Sequence, residues 1–97
     1  ALPDGEGFRC ERLLRSPYFE MRRLTMVAPS TRHAADASTF RVWFPVGDTP
    51  LVLSWEGGGL EVPGWRSVMI PASAPEITVE AASGAVILET RLPTPAV

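Results

Sequence analysis

The stretch Thr39-Phe40-Arg41-Val42-Trp43-Phe44-Pro45-Val46-Gly47-Asp48-Thr49-Pro50-Leu51-Val52-Leu53-Ser54-Trp55 decides the fold. Its first half alternates. Phe40, Val42, Phe44 and Val46 fall on one face of an extended chain, and Thr39, Arg41 and Trp43 fall on the other, the period of two that a strand imposes. Gly47-Asp48-Thr49-Pro50 has turn composition. Alternation then resumes, with Leu51, Leu53 and Trp55 sharing a face.

Similar short runs flank this stretch. Downstream, Gly57-Gly58-Gly59 breaks the second strand; with no helix start or lysine after it, it reads as a hairpin turn rather than a phosphate cradle. Leu60–Val62 continues the strand as far as Pro63-Gly64. Ser67–Ile70 stops at Pro71, and Ile77–Ala81 and Ala85–Thr90 flank the turn Ala82-Ser83-Gly84. Upstream, Glu11–Arg15 reads as a short strand. Tyr18–Met26 carries Phe19 and Met21 on one face and Leu24 and Met26 on the other, a phase slip that predicts a bulge at Arg22-Arg23. Ala28–Ser38 is small and polar and reads as a loop. With ten Pro and eight Gly spread along the chain, few stretches of helical length escape a breaker. The expectation is an all-β sandwich or barrel of seven or eight short antiparallel strands.

Composition sets the remaining bounds. At 97 residues and 10.5 kDa, residues 1–97 suit a single domain, with 1–9 and 92–97 as extended tails. All nine basic residues other than His33 are arginine; Lys, Asn and Gln are missing altogether. That excludes Schiff-base lysines, a P-loop lysine and side-chain amides in an oxyanion hole. One Cys and one His cannot build a Cys/His zinc site, and Cys10 has no internal disulfide partner, which fits a reducing, cytoplasmic setting. A net charge of −2 gives no basic field for nucleic acid, and no apolar run is long enough to span a bilayer as a helix.

The most specific string is Gly64-Trp65-Arg66-Ser67-Val68-Met69-Ile70-Pro71-Ala72. It resembles the glycine-to-Ile-Pro-Ala signature near the end of type I mannose-6-phosphate isomerases. Arg15-Ser16-Pro17-Tyr18-Phe19-Glu20-Met21 is similar to the Tyr-Phe segment that opens the C-terminal domain of that family. Phe40-Arg41-Val42 and Leu51–Trp55 fall where that domain has its central strands, so the resemblance runs from about Cys10 to Leu92. It implies a cupin-type jelly roll. It also implies a domain cut from a longer chain, whose family interconverts mannose 6-phosphate and fructose 6-phosphate at a zinc held upstream by two His, a Glu and a Gln. None of those ligand motifs occurs here, so no catalytic residue and no metal ligand carries over. The partner implied is the upstream metal-binding cupin domain of the same protein. The alternative is a stand-alone, metal-free cupin that binds a sugar, a sugar phosphate or another small molecule. A homodimer is a further possibility for either form.

Individual residues divide the same way. Arg41 and Trp43 share a strand face and are the ligand-facing candidates. His33 reads as an exposed loop histidine, Cys10 as a passive thiol, and Arg22 and Arg23 as carboxylate-paired or solvated residues on opposite faces. Trp55 reads as core and Trp65 as a staple for its turn. Glu56, Glu61, Glu76, Glu80 and Glu89 read as solvated carboxylates.

Overall fold

The computed structural model describes residues 7–82 and 84–93. Within them the chain forms β1 (Phe8–Arg15), β2 (Glu20–Met26), β3 (Ser30–His33), β4 (Arg41–Val46), β5 (Leu51–Trp55), β6 (Gly58–Val62), β7 (Val68–Ile70), β8 (Ile77–Glu80) and β9 (Val86–Arg91). Two antiparallel sheets result. The larger has the order β1-β2-β9-β4-β7 and the smaller the order β3-β8-β5-β6. The all-β expectation holds, and no described helix is long and apolar enough to cross a membrane.

Nine strands replace the expected seven or eight, because Ala28–Ser38 is not all loop. Its segment Ser30–His33 pairs with β8, with Thr31 and His33 buried and Ser30 and Arg32 exposed. Small and polar side chains concealed that alternation. β1 begins at Phe8, three residues before the expected strand and inside the expected N-terminal tail. Ala1–Glu6, Ser83 of the expected turn and residues 94–97 of the C-terminal tail lie outside the described residues.

The core lies between the sheets. The larger contributes Leu24, Met26, Trp43, Ile70 and Ile87, and the smaller contributes Leu51, Leu53, Val62, Ile77 and Val79. Strand β4 alternates as its sequence predicts, but the face turned inward carries Arg41, Trp43 and Pro45, while Phe40 and Val46 are exposed. The more apolar face of the strand is the outer one.

Strand β2 has no bulge. Glu20, Leu24 and Met26 are buried, with Arg22 half-buried between them, in unbroken alternation. The apparent slip arises because two inward positions carry charge. The irregularity lies in β1 instead, where pairing steps from Arg12↔Arg22 to Leu14↔Met21 and leaves Leu13 out of register.

Two turns fix the ends of β4 and β5. Trp65 adopts φ 63, its backbone N–H donates to the Pro45 carbonyl at 3.1 Å, and its indole donates to Asp48 Oδ1 at 2.9 Å. It staples the β4–β5 turn, rather than only its own turn at Pro63-Gly64 as its sequence position suggested.

Candidate functional site

Antiparallel register places side chains from neighbouring strands on one face in rows. One inward row runs Glu20 (β2), Arg91 (β9), Arg41 (β4), and the next runs Arg22, Glu89, Trp43. The row beyond is Leu24, Ile87, Pro45. The interior of the larger sheet is thus charged at one end and apolar at the other.

Strands β2 and β9 each carry an inward Glu-X-Arg, namely Glu20-Met21-Arg22 and Glu89-Thr90-Arg91. Their antiparallel pairing sets each glutamate opposite the other strand's arginine. Within β2, Arg22 Nε donates to Glu20 Oε2; from β1, Arg12 Nε lies 3.3 Å from Glu20 Oε1. Within β9, Arg91 Nε lies 3.3 Å from Glu89 Oε2, and Arg91 Nη1 donates to Asp36 Oδ2 at 3.1 Å. Glu89 also accepts the Trp43 indole N–H at 3.0 Å. Each buried carboxylate thus has cationic partners, although Glu20 Oε1 and Arg91 Nε, each 3.3 Å from its counter-ion, make no hydrogen bond among the described residues.

These residues border a cavity of about 230 Å³. Arg22, Arg41, Glu89 and Arg91 form its charged side, while Phe8, Cys10 and Leu24 form an apolar wall. The loop Ala34-Ala35-Asp36 and His33 supply further lining, and the cavity is open to solvent on one side. His33 stacks on Phe8 with ring centroids 4.2 Å apart and meets Trp43 edge-on at 5.0 Å, so this histidine bridges the two sheets. It is 4% exposed, not the solvated loop residue its sequence suggested. Burial, reinforced by the Arg41 charge, lowers its pKa to about 4, so it is neutral at pH 7. Its Nε2 lies 2.8 Å from the Thr31 hydroxyl.

Burial raises the Cys10 thiol above its ordinary pKa and outweighs the opposing charge of Arg22, which keeps it protonated at pH 7. Hydrogen bonds from Ser38 come first among the causes that hold Asp36 below the usual carboxylate range, and Arg91 adds to them.

Arg41 stands apart from this balanced set. It is 3% exposed, and its Nη1 donates to the Ala34 carbonyl at 3.1 Å. Its Nε and Nη2 are buried with no hydrogen-bond partner among the described residues. Burial lowers its pKa, and the charge of Glu89 works against that effect. Directly across from it in the sheet stands another cation, Arg91, a like-charge pairing that sheets normally avoid.

The donor set does not suit a metal ion. Glu20 and Glu89 are bound to guanidinium and indole groups, and a buried cation, Arg41, faces the same space. Among the described residues no three His, Cys, Asp or Glu side chains gather in a way that could hold a metal. The zinc implied by the family resemblance has no seat in this cavity.

No family model matches the chain, and no curated protein matches it. Solved structures do. An RmlC-like cupin protein from Desulfovibrio desulfuricans superposes with TM-score 0.70 at 19% identity, over 89% of this chain and 82% of its own. The chain has the cupin fold. The EutQ protein of Clostridium difficile matches with TM-score 0.71 at 13% identity, over 90% of this chain and 63% of its own. The mannose 6-phosphate isomerase of Bacillus subtilis matches with TM-score 0.72 at 15% identity, over 87% of this chain and 25% of its own. The chain thus spans less than two thirds of the length of these last two proteins. At such identities the likeness establishes the cupin fold alone.

Within the cupin barrel, Arg41 borders the cavity. Trp43 is fully buried behind it and is not among the described residues that border the space. Arg22 faces inward and Arg23 outward, where Arg23 pairs with Glu11. Trp55 is half-buried against the core. Glu56, Glu61, Glu76 and Glu80 are exposed as expected, whereas Glu89 is 3% exposed and central to the site. Reading β2, β4 and β9 singly missed Glu20, Glu89 and Arg91. The repeated Glu-X-Arg, at strand parity with Leu24 and Ile87, was the available signal.

Proposed function

We propose that this cupin domain is a metal-free binding module that holds a small anionic organic molecule in the charged end of its barrel. One observation carries the reading: a buried guanidinium, Arg41, whose Nε and Nη2 have no hydrogen-bond partner among the described residues and which borders a cavity large enough for a small molecule. Leaving a buried charged donor unsatisfied costs free energy that a bound oxyanion recovers. Binding rather than chemistry is favoured because the cavity presents a neutral histidine, a protonated thiol and carboxylates already committed to cations.

Trp43 reports on the site without touching the ligand, since its indole is bonded to Glu89 and lies under Arg41. Titration of small organic acids and sugar phosphates should change tryptophan emission in the parent protein. The change should vanish in Trp43→Phe, which leaves Trp55 and Trp65 in place. A flat response across both panels would remove the binding reading.

A second reading is supported by the overlay of this chain on a quarter of the Bacillus subtilis isomerase. In it the domain is a non-catalytic C-terminal cupin of a mannose-6-phosphate isomerase-like protein. Its role would be to pack against an upstream zinc-bearing domain and wall the active site. This reading expects no turnover of mannose 6-phosphate and no anion response from the isolated chain. Stoichiometric zinc together with isomerase activity in the isolated chain would contradict both readings.

A further inference from the structure

We infer that the ligand of this cavity is a small monocarboxylate, seated with its two oxygens on the Nε and Nη2 edge of Arg41 and its apolar body against Phe8 and Leu24. The inference rests on the binding reading above and adds the chemical class of the ligand.

Three observations select that class. The first is the shape of the vacant donor set. Nη1 of Arg41 is used by Ala34, and the two unpartnered nitrogens, Nε and Nη2, are neighbours on one edge of a planar fork. Two parallel N–H groups of this kind match a group with two oxygens, either a carboxylate or a phosphate. A neutral sugar hydroxyl would satisfy only one of them.

The second is charge. The described residues that border the cavity include three guanidinium groups (Arg22, Arg41, Arg91) and two carboxylates (Asp36, Glu89), an excess of one cation. Behind them, Glu20 is shared by Arg22 and Arg12. A monoanion cancels the excess. A phosphate monoester, close to dianionic at neutral pH, would bring a second negative charge towards Glu89 and Asp36.

The third is size and lining. A dry cavity of ~150 Å³ takes benzene, so 230 Å³ corresponds to about nine non-hydrogen atoms. That is the scale of benzoate or a short aliphatic acid, and a hexose phosphate exceeds it. Phe8, Cys10 and Leu24, on β1 and β2 beside Arg22, make the rest of that lining apolar, which suits a hydrocarbon body better than a polyhydroxylated one.

The test is calorimetric titration of the full chain at pH 7.5 with acetate, butyrate and benzoate, set against methyl phosphate and glucose 6-phosphate. Benzoate or butyrate should bind at least tenfold more tightly than either phosphate ester. Arg41→Lys, which keeps the charge and loses the fork, should weaken carboxylate binding at least tenfold while near-ultraviolet circular dichroism stays that of the parent. Arg41→Met should abolish binding. In either variant the guanidinium Nε–H resonance that benzoate shifts in the parent should be missing. Tighter binding of the phosphate esters would overturn the carboxylate assignment and leave the binding module standing. Carboxylate affinity unchanged in Arg41→Lys would overturn the Arg41 seat. No binding by any of the five anions would remove both the assignment and the reading beneath it.

Discussion

The guanidinium carbon of Arg41 lies 5.5 Å from the centroid of the Trp43 ring, two residues along the same inward face of β4. The indole gives the cation a π surface, and its own N–H is anchored on Glu89. Arg41 is therefore held by one ring, one carbonyl and the more distant field of Glu89, with no carboxylate in direct contact among the described residues. A buried cation with so little direct compensation is a poor contributor to stability and a good receptor for an anion.

Arg41→Met should accordingly leave the ligand-free protein as stable as the parent, or up to about 2 kcal/mol more stable, because replacing a poorly compensated buried charge with an apolar chain of similar length removes a desolvation cost. Urea denaturation of both proteins in anion-poor buffer measures this. A loss beyond about 1 kcal/mol would mean that the Trp43 and Ala34 contacts outweigh that cost.

His33 predicts a stability that falls on mild acidification. Its folded pKa of about 4 lies below the ordinary 6.5. Above pH 6.5 neither state binds the proton, and full stability is present. Between pH 6.5 and 4 the unfolded chain takes up a proton that the folded chain excludes, so stability declines, by on the order of 3 kcal/mol in all. Asp36, held low by Ser38, adds a separate loss only below the ordinary carboxylate range. Urea melts from pH 8 to 4.5 should show the first decline, and His33→Phe should flatten it. A ring proton resonance of His33 titrating near pH 6.5 in the folded protein would contradict the assignment.

The strands were legible because period two survives any choice of which face is inside. Thr39–Val46 and Leu51–Trp55 alternate in sequence and alternate in the barrel. Which face turns inward was not legible from β4 alone: Phe40, Val42, Phe44 and Val46 look like the core set, yet Arg41 and Trp43 are inside. Cross-strand partners decide the matter, since Arg41 meets Arg91 and Trp43 meets Glu89 only once β9 is placed beside β4. The same non-local pairing hid β3, whose Thr31 and His33 carry no apolar signal and are buried through contact with Met26, Phe8 and Trp43. The Gly64-to-Ala72 string was legible as a motif, and its first residue has a local steric reason.

Glu89→Gln tests the charge balance of the site. The amide retains an acceptor for the Trp43 indole but removes the negative charge 3.3 Å from Arg91 Nε and within the field of Arg41. The buried Arg41 and the largely buried Arg91 then lose a counter-charge they share, leaving Asp36 as the other. The expected cost is about 2–4 kcal/mol, larger than for a surface pair. The double variant Glu89→Gln with Arg41→Met should recover part of that loss, giving a coupling of about 1 kcal/mol or more. Additive effects would show that Glu89 and Arg41 do not sense each other.

Gly64 tests the motif itself. A Cβ at this position would lie 2.0 Å from the Gly47 carbonyl oxygen and 2.8 Å from two backbone atoms of Asp48. The β4–β5 turn thus packs directly on the backbone before β7, and only a hydrogen fits between them. Gly64→Ala must push the two turns apart, which strains the Trp65 bonds to Pro45 and Asp48 that staple them. The expected loss is about 2–3 kcal/mol, in the range of overpacking in a rigid site, with a red or blue shift of the exposed Trp65 emission. Gly84→Ala serves as the comparison. It carries the backbone penalty of φ +88 but has no atom within 4 Å of the new Cβ, so its cost should be about 1–2 kcal/mol. Equal costs at the two positions would mean that the contact with Gly47 is not what demands glycine at 64.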